Sequence, residues 1–289
     1  MPYIYLLLAT LLMSVGSIGS KFYNKRNEKY QGTAPIFTLL RAGTTLLFWV
    51  IMFFAKGASL NVDVLPYALL MVGISVLSAY ASVNSYKNGS VLYTSLIVQF
   101  SLIGVAIWGF FFWNSPFTWL MAVGLVLVAV SLWLCLYTGK QEDKKITPKW
   151  LFWVALFFLT NMGYTIVMRT QQMHFNGEYG PFMMLIVMSG AVLTHTIIFL
   201  KGERTDAKTV LQSSWWIPVA LGVAAALVDL FVMLLVGTTL SASFIYPTLA
   251  IGALAVVTIF SKFVFKDEMR WWQWIGVAVG AVAVAIISI

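Results

Sequence analysis

Residues 215–236 read WWIPVALGVAAALVDLFVMLLV, a run of apolar side chains that contains a single charged residue, Asp229. A helix needs about 20 predominantly apolar residues to cross the hydrocarbon core of a bilayer. This stretch therefore predicts a membrane-spanning helix with one acid inside it.

Nine further stretches of the same kind fill the rest of the chain. The ten predicted spans are 2–21, 35–55, 64–86, 90–113, 117–137, 149–169, 181–200, 215–236, 240–262 and 270–288. Only 10% of the 289 residues are charged, whereas a soluble domain carries about 25%. The sequence therefore predicts an all-α integral membrane protein with ten transmembrane helices, for which the lipid bilayer is the main solvent.

Positive charge is concentrated in alternate loops. Of the 18 lysines and arginines, 15 follow odd-numbered spans, Lys56 and Arg169 follow even-numbered spans, and Arg41 lies within a span. Because cytoplasmic loops carry an excess of Lys and Arg, this bias predicts that both termini lie outside a cell membrane. It also explains the net charge of +8 without nucleic acid, which we do not expect as a partner.

Short motifs recur about 148 residues apart in the same order. Pro35 and Pro181 each open a span, and Gly124 and Gly276 each lie near the start of a small-residue span. We therefore predict a first five-helix repeat at 1–138, a polar loop at 139–148 and a second repeat at 149–289. Because five crossings are an odd number, the second repeat enters the membrane from the other side. Inverted repeats of this kind are common in secondary transporters.

The second repeat carries the clearest motif, a run SFIYP at 243–247, then FKDE at 265–268 and WIG at 274–276. In the first repeat, Pro35 and Arg41 form a Pro-x5-Arg pattern. Together these residues resemble the EamA-type domain of the drug/metabolite transporter superfamily. The resemblance implies ten helices around a central cavity lined mainly by helices 1, 3, 4, 6, 8 and 9. It also implies cytoplasmic termini, so the orientation stays open.

Two charges inside spans are the first candidates for function, since ionisable groups in a membrane helix cost about 2.5–3.5 kcal/mol on insertion scales. Asp229 is interpreted either as a cation-binding or proton-coupling carboxylate or as a hydrogen-bonded structural acid. Arg41 either neutralises an anionic substrate or has a structural role, reaching the membrane edge or fixing helix packing. Pairing of the two would weaken both functional interpretations.

Polar side chains on the cavity helices complete the predicted site. The substrate-binding set is Asp229, Asn161, Tyr164, Tyr80, Asn84, Tyr93, Gln99, Tyr246, Ser14 and Ser17. The alternative for any one of them is a hydrogen bond between helices, worth about 0.6 kcal/mol in a membrane. Gating or packing is assigned to Pro247, Gly276 and Gly280. His195 is interpreted as a satisfied packing histidine, and no metal site is predicted.

These features predict a secondary transporter of small organic solutes that works by alternating access. No Walker A motif is present, so ATP does not drive transport within this chain. Amino-acid-like, cationic or aromatic solutes fit the aromatic-rich spans. We expect no enzymatic activity and no cofactor, and a monomer or weak homodimer. The alternatives are a channel or structural subunit and, less favoured, an intramembrane lipid-modifying enzyme.

Overall fold

The computed structural model describes residues 1–30, 33–88, 94, 97–115, 118–136, 147–201, 206–264 and 270–287. Within these ranges the chain forms α-helices and one short 3-10 turn at Val62–Val64, with no strand. The helices are α1 (Pro2–Arg26), α2 (Thr33–Ala55), α3 (Leu65–Asn88), α4 (Ser101–Phe112), α5 (Trp119–Leu136), α6 (Pro148–His174), α7 (Gly180–Lys201), α8 (Ala207–Ser214), α9 (Trp216–Val236), α10 (Ala242–Val264) and α11 (Trp271–Ile287). A helix suits this composition because it satisfies its backbone polar groups internally.

Each of the ten predicted spans overlaps one of these helices. Seven helices are long and apolar enough to cross a membrane. Three apolar helices are shorter, namely Ile97–Phe112, Trp119–Cys135 and Trp271–Ile287. The described chain is thus all-helical and has the spans of a multi-pass membrane protein.

The remaining helix, α8, differs from the sequence prediction, which placed a loop between the seventh and eighth spans. It has eight residues and a polar composition, AKTVLQSS. Val210 and Ser214 are buried, one turn apart, while Lys208 and Leu211 are exposed. A hydropathy window long enough to find a span cannot detect so short an amphipathic helix.

The chain divides into two compact units, each of which draws segments from both halves of the sequence. Unit 1 comprises Met1–Leu11, Leu77–Ile166 and Thr238–Ile289. Unit 2 comprises Leu12–Val76 and Val167–Gly237. The predicted division into repeats at 1–138 and 149–289 stays a prediction.

Unit 1 is built around the contact of α5 with α11, to which α10 also packs. Gly276 lies so close to α5 that a Cβ atom there would be 2.9 Å from the backbone nitrogen of Cys135. At Gly280 a Cβ would be 2.6 Å from the Ser131 hydroxyl. Ser131 donates a hydrogen bond to the Gly276 carbonyl at 2.7 Å, and the Gln273 amide donates to the Cys135 carbonyl at 3.0 Å. Small residues thus allow the close approach, as is usual for membrane helices.

Unit 2 is built around α2, which packs against α7, α8 and α9. Where these elements end, Tyr23, Ile36, Val210, Ile217 and Leu221 form a buried apolar cluster. This cluster joins the end of α1 to the starts of α2 and α9, and α8 takes part in it through Val210. The contact between α2 and α9 also holds the two charges predicted from the sequence.

Candidate functional site

The helices α2 and α9 approach one another closely at Gly222. A Cβ atom there would lie 2.7 Å from the Arg41 carbonyl oxygen and 2.7 Å from Cβ of Thr44. The buried Thr45 hydroxyl lies 3.0 Å from the Gly222 carbonyl oxygen and 2.9 Å from the Arg41 carbonyl oxygen, one turn back in α2, and shares its single proton between these two acceptors. The absent side chain and the bridging hydroxyl together bring the two backbones into direct contact.

Arg41 and Asp229 carry opposite charges within this helix pair and attract one another at a distance, without a hydrogen bond or an ion pair between these two described side chains. Arg41 comes from α2 and Asp229 from α9, and both side chains are half-buried. Opposite charges attract more strongly in a medium of low dielectric constant than in water. The interaction gives each charge a structural reason to be inside a helix, and this weakens the interpretation that either one alone binds a charged solute. The two acting together remain a candidate site.

His195 adds a third ionisable group. It lies on α7, which also packs against α2, and Arg41 repels the protonated form of its imidazole. Its Nδ1 atom is buried and has no hydrogen-bond partner in the described structure. The interpretation of His195 as a satisfied packing histidine stays a prediction, and it requires a polar partner for Nδ1. We call Arg41, Asp229 and His195 the charged cluster.

The variant His195→Leu is expected to unfold at the same temperature as the parent protein or slightly above it. Leaving a buried polar atom unpaired costs about 1–3 kcal/mol, and leucine removes that atom while filling much of the volume. Thermal unfolding of the purified protein in detergent measures the effect. Thr196→Val, which removes a hydroxyl that donates 2.8 Å to the Val192 carbonyl, is the neighbouring control. A marked loss of stability in His195→Leu would mean that the imidazole is held by polar partners.

The two serines predicted in the first span have different surroundings. Ser14 in α1 is fully buried. Ser17 is exposed, and its hydroxyl lies 3.5 Å from the Met13 carbonyl of the same helix. Both belong to unit 2, as does the charged cluster. Of the two serines predicted to bind substrate, one is thus buried and the other exposed.

The other predicted binding residues belong to unit 1, with Tyr93 outside the described residues. Tyr80 is 47% exposed. Its backbone carbonyl accepts a 2.9 Å hydrogen bond from the side-chain amide of Asn84, so this amide is bound within α3 itself. Half-buried side chains are found at Gln99, Asn161 and Tyr164. Tyr246 is fully buried beside Pro247, which lies inside α10. The predicted set is therefore divided between two units, and its member Asp229 is attracted electrostatically to Arg41, which was predicted separately as a charge inside a span.

A buried arginine, Arg169, was counted as a loop residue in the sequence prediction and belongs instead to α6. Its side chain is only 6% exposed. Next to it Gln171 and Gln172 are also buried, and Gln172 donates to the Gln171 side chain, which donates in turn to the Glu178 carbonyl at 3.0 Å. The predicted span ends at 169 because Arg169, Gln171 and Gln172 lower the mean hydropathy there. In the structure these side chains are buried, and α6 continues to His174.

No family model matches the sequence, and no curated protein matches it. Solved structures do match. One protein of known crystal structure aligns with 99% of this chain and 95% of its own, with a TM-score of 0.75 and 13% sequence identity. This likeness shows that the chain shares its fold with that protein.

Proposed function

We propose that this protein is a secondary transporter of small organic solutes in the cell membrane. In this proposal all ten apolar helices cross the membrane as two inverted five-helix repeats, and the chain is of the EamA type in the drug/metabolite transporter superfamily. The motif residues at 243–247 and 274–276 support the family. The seven long apolar helices support the multi-pass arrangement.

The observation that carries the proposal is the charged cluster. Three ionisable side chains on three helices are costly in a membrane, where such groups are usually found on substrate or ion pathways. A purely structural contact between α2 and α9 is already supplied by Gly222 and Thr45. Arg41 and Asp229 are therefore in excess of what packing of these helices requires.

The pairing of the charges favours one class of solute. A cation bound at Asp229 would leave Arg41 without its partner, and an anion bound at Arg41 would leave Asp229 without its own. Removing one partner of a fully buried ion pair costs about 3–5 kcal/mol, and we expect a smaller cost for the half-buried Arg41 and Asp229. A zwitterion such as an amino acid replaces both partners at once, because its carboxylate meets Arg41 while its ammonium group meets Asp229. Of the solutes predicted from the sequence, the amino-acid-like class fits best.

Uptake into proteoliposomes tests the preference for zwitterions with three compounds that share one side chain, namely an amino acid, its cationic methyl ester and its anionic N-acetyl derivative. We expect radiolabelled leucine, or phenylalanine if the site prefers aromatic groups, to be taken up with saturation. The methyl ester, a cation, and the N-acetyl derivative, an anion, are each expected to compete at least about 30-fold more weakly, since either leaves one charge of the pair uncompensated.

Equal competition by the ester would show that Asp229 alone recognises the solute. Flux that rises linearly with concentration would indicate a channel and contradict the carrier proposal. Empty liposomes and liposomes with heat-denatured protein are the controls for leakage.

A further inference from the structure

An exposed region of unit 2 combines positive charge with aromatic side chains. It lies where α1 ends and α9 begins, on either side of α8. We define the α8 surface as the exposed residues Phe22, Arg26, Lys208, Leu211, Trp215 and Trp216. It shares no residue with the charged cluster and is independent of the proposed function.

Specific contacts hold α8 in place beneath this surface. Val210 is packed among Tyr23, Ile36 and Ile217. The buried Ser214 hydroxyl donates to the Asn27 side-chain oxygen at 3.2 Å, and the Arg26 guanidinium reaches the Ser213 carbonyl at 3.5 Å. The helix is therefore fixed against the end of α1, and its outer residues have a defined position.

The outer face of α8 is apolar as well as basic. Leu211 in α8 is 45% exposed, and Trp215, the residue that follows the helix, is 52% exposed. The rings of Phe22 and Trp216 lie 6.4 Å apart at the same place. Indole rings prefer the headgroup level of a bilayer, and short amphipathic helices lie in that layer with their apolar residues towards the acyl chains.

The α8 surface lies at the ends of two spans, which is where a bilayer has its headgroups. The first candidate span ends at Arg26, and the α9 span begins at Trp216. Within the described parts of 21–30 and 201–208, six basic residues face two acidic ones, Glu28 and Asp206. The basic residues are Lys21, Lys25, Arg26, Lys29, Lys201 and Lys208. A net positive surface at the headgroup level attracts anionic lipid.

We propose that the α8 surface is a binding site for the headgroup of an anionic phospholipid. Arg26 and Lys208 bind the phosphate, while Leu211 and the two tryptophans contact the first methylene groups of the acyl chains. This assigns a bilayer partner of stated charge to one end of unit 2.

Native mass spectrometry of the full-length protein in detergent, with phosphatidylglycerol or phosphatidylcholine of the same acyl chains, tests the proposal. We expect the parent protein to retain phosphatidylglycerol in preference to phosphatidylcholine. The variant Arg26→Gln/Lys208→Gln is expected to bind phosphatidylglycerol roughly 30-fold more weakly, about fivefold for each charge removed. The control Lys56→Gln/Lys149→Gln removes two exposed charges elsewhere and is expected to bind like the parent.

Equal retention by the variant and the control would overturn the site, as would equal binding of the two lipids by the parent. Displacement of the lipid by inorganic phosphate at matched concentration would overturn the lipid assignment, because the surface would then recognise phosphate alone. A second variant, Trp215→Ala/Leu211→Ser, keeps both charges. It is expected to weaken phosphatidylglycerol binding while leaving thermal unfolding unchanged, and unchanged binding would remove the acyl-chain contact from the proposal.

Discussion

The double variant Arg41→Met/Asp229→Leu is expected to unfold at nearly the temperature of the parent protein and to take up no solute, whereas each single variant is expected to be less stable. Removing either of two opposite charges leaves the other uncompensated, which in a fully buried ion pair costs about 3–5 kcal/mol. Arg41 and Asp229 are half-buried and are not in direct contact, so we expect each single variant to lose less stability than that. Replacing both members by apolar residues of similar size removes that cost.

Four proteins are compared in this cycle by thermal unfolding in detergent and by uptake in proteoliposomes. Lys56→Met/Asp63→Leu, which removes one exposed base and one exposed acid from the same unit, is the control and is expected to behave as the parent does. A stable double variant that still takes up solute would make the pair purely structural. A double variant as unstable as the sum of the two single variants would show that the charges are not coupled.

Gly222→Ala is expected to lower the stability of the protein by about 1–3 kcal/mol, the usual cost of overpacking a close contact. The new methyl group would meet the Arg41 carbonyl oxygen at 2.7 Å, and a backbone atom cannot rotate away. The helices α2 and α9 would have to separate, which would also break the 3.0 Å hydrogen bond from Thr45 to the Gly222 carbonyl.

Gly43→Ala is the matched control because it lies in α2 with nothing within 4 Å of the added Cβ. Alanine favours a helix over glycine by roughly 0.5–1 kcal/mol, so this variant is expected to be slightly more stable than the parent. Thermal unfolding measures both. If the two substitutions have the same effect, the close approach at Gly222 does not contribute to stability.

The helices could be predicted from the sequence because each apolar stretch is long compared with the polar links. Boundaries were less certain where burial rather than hydropathy decides the end of a helix, as at Arg169. The short helix α8 could not be found in this way, because it is stabilised by contacts of Val210 and Ser214 with residues distant in sequence.

The sequence also placed Arg41 and Asp229 inside helices, since isolated charges in apolar runs are conspicuous. Their mutual interaction depends on which helices pack together, and the hydrophobic pattern of a single helix does not show its neighbours. The surroundings of His195 could not be predicted for the same reason, because they come from α2 rather than from its own helix. Ionisable residues in membrane helices commonly pair with one another, and this tendency could have linked Arg41, Asp229 and His195.

The direct backbone contact at Gly222 has a mechanical consequence. Packed helices slide past one another over smooth side-chain surfaces, but here the Thr45 hydroxyl bridges a carbonyl of α2 and a carbonyl of α9. A displacement of α2 along its axis would have to break the Thr45–Gly222 hydrogen bond and move the Arg41 carbonyl past Gly222, so the close contact opposes sliding at this point. Because Arg41 and Asp229 lie on these two helices, rotation of their side chains changes the distance between the charges without disturbing that contact.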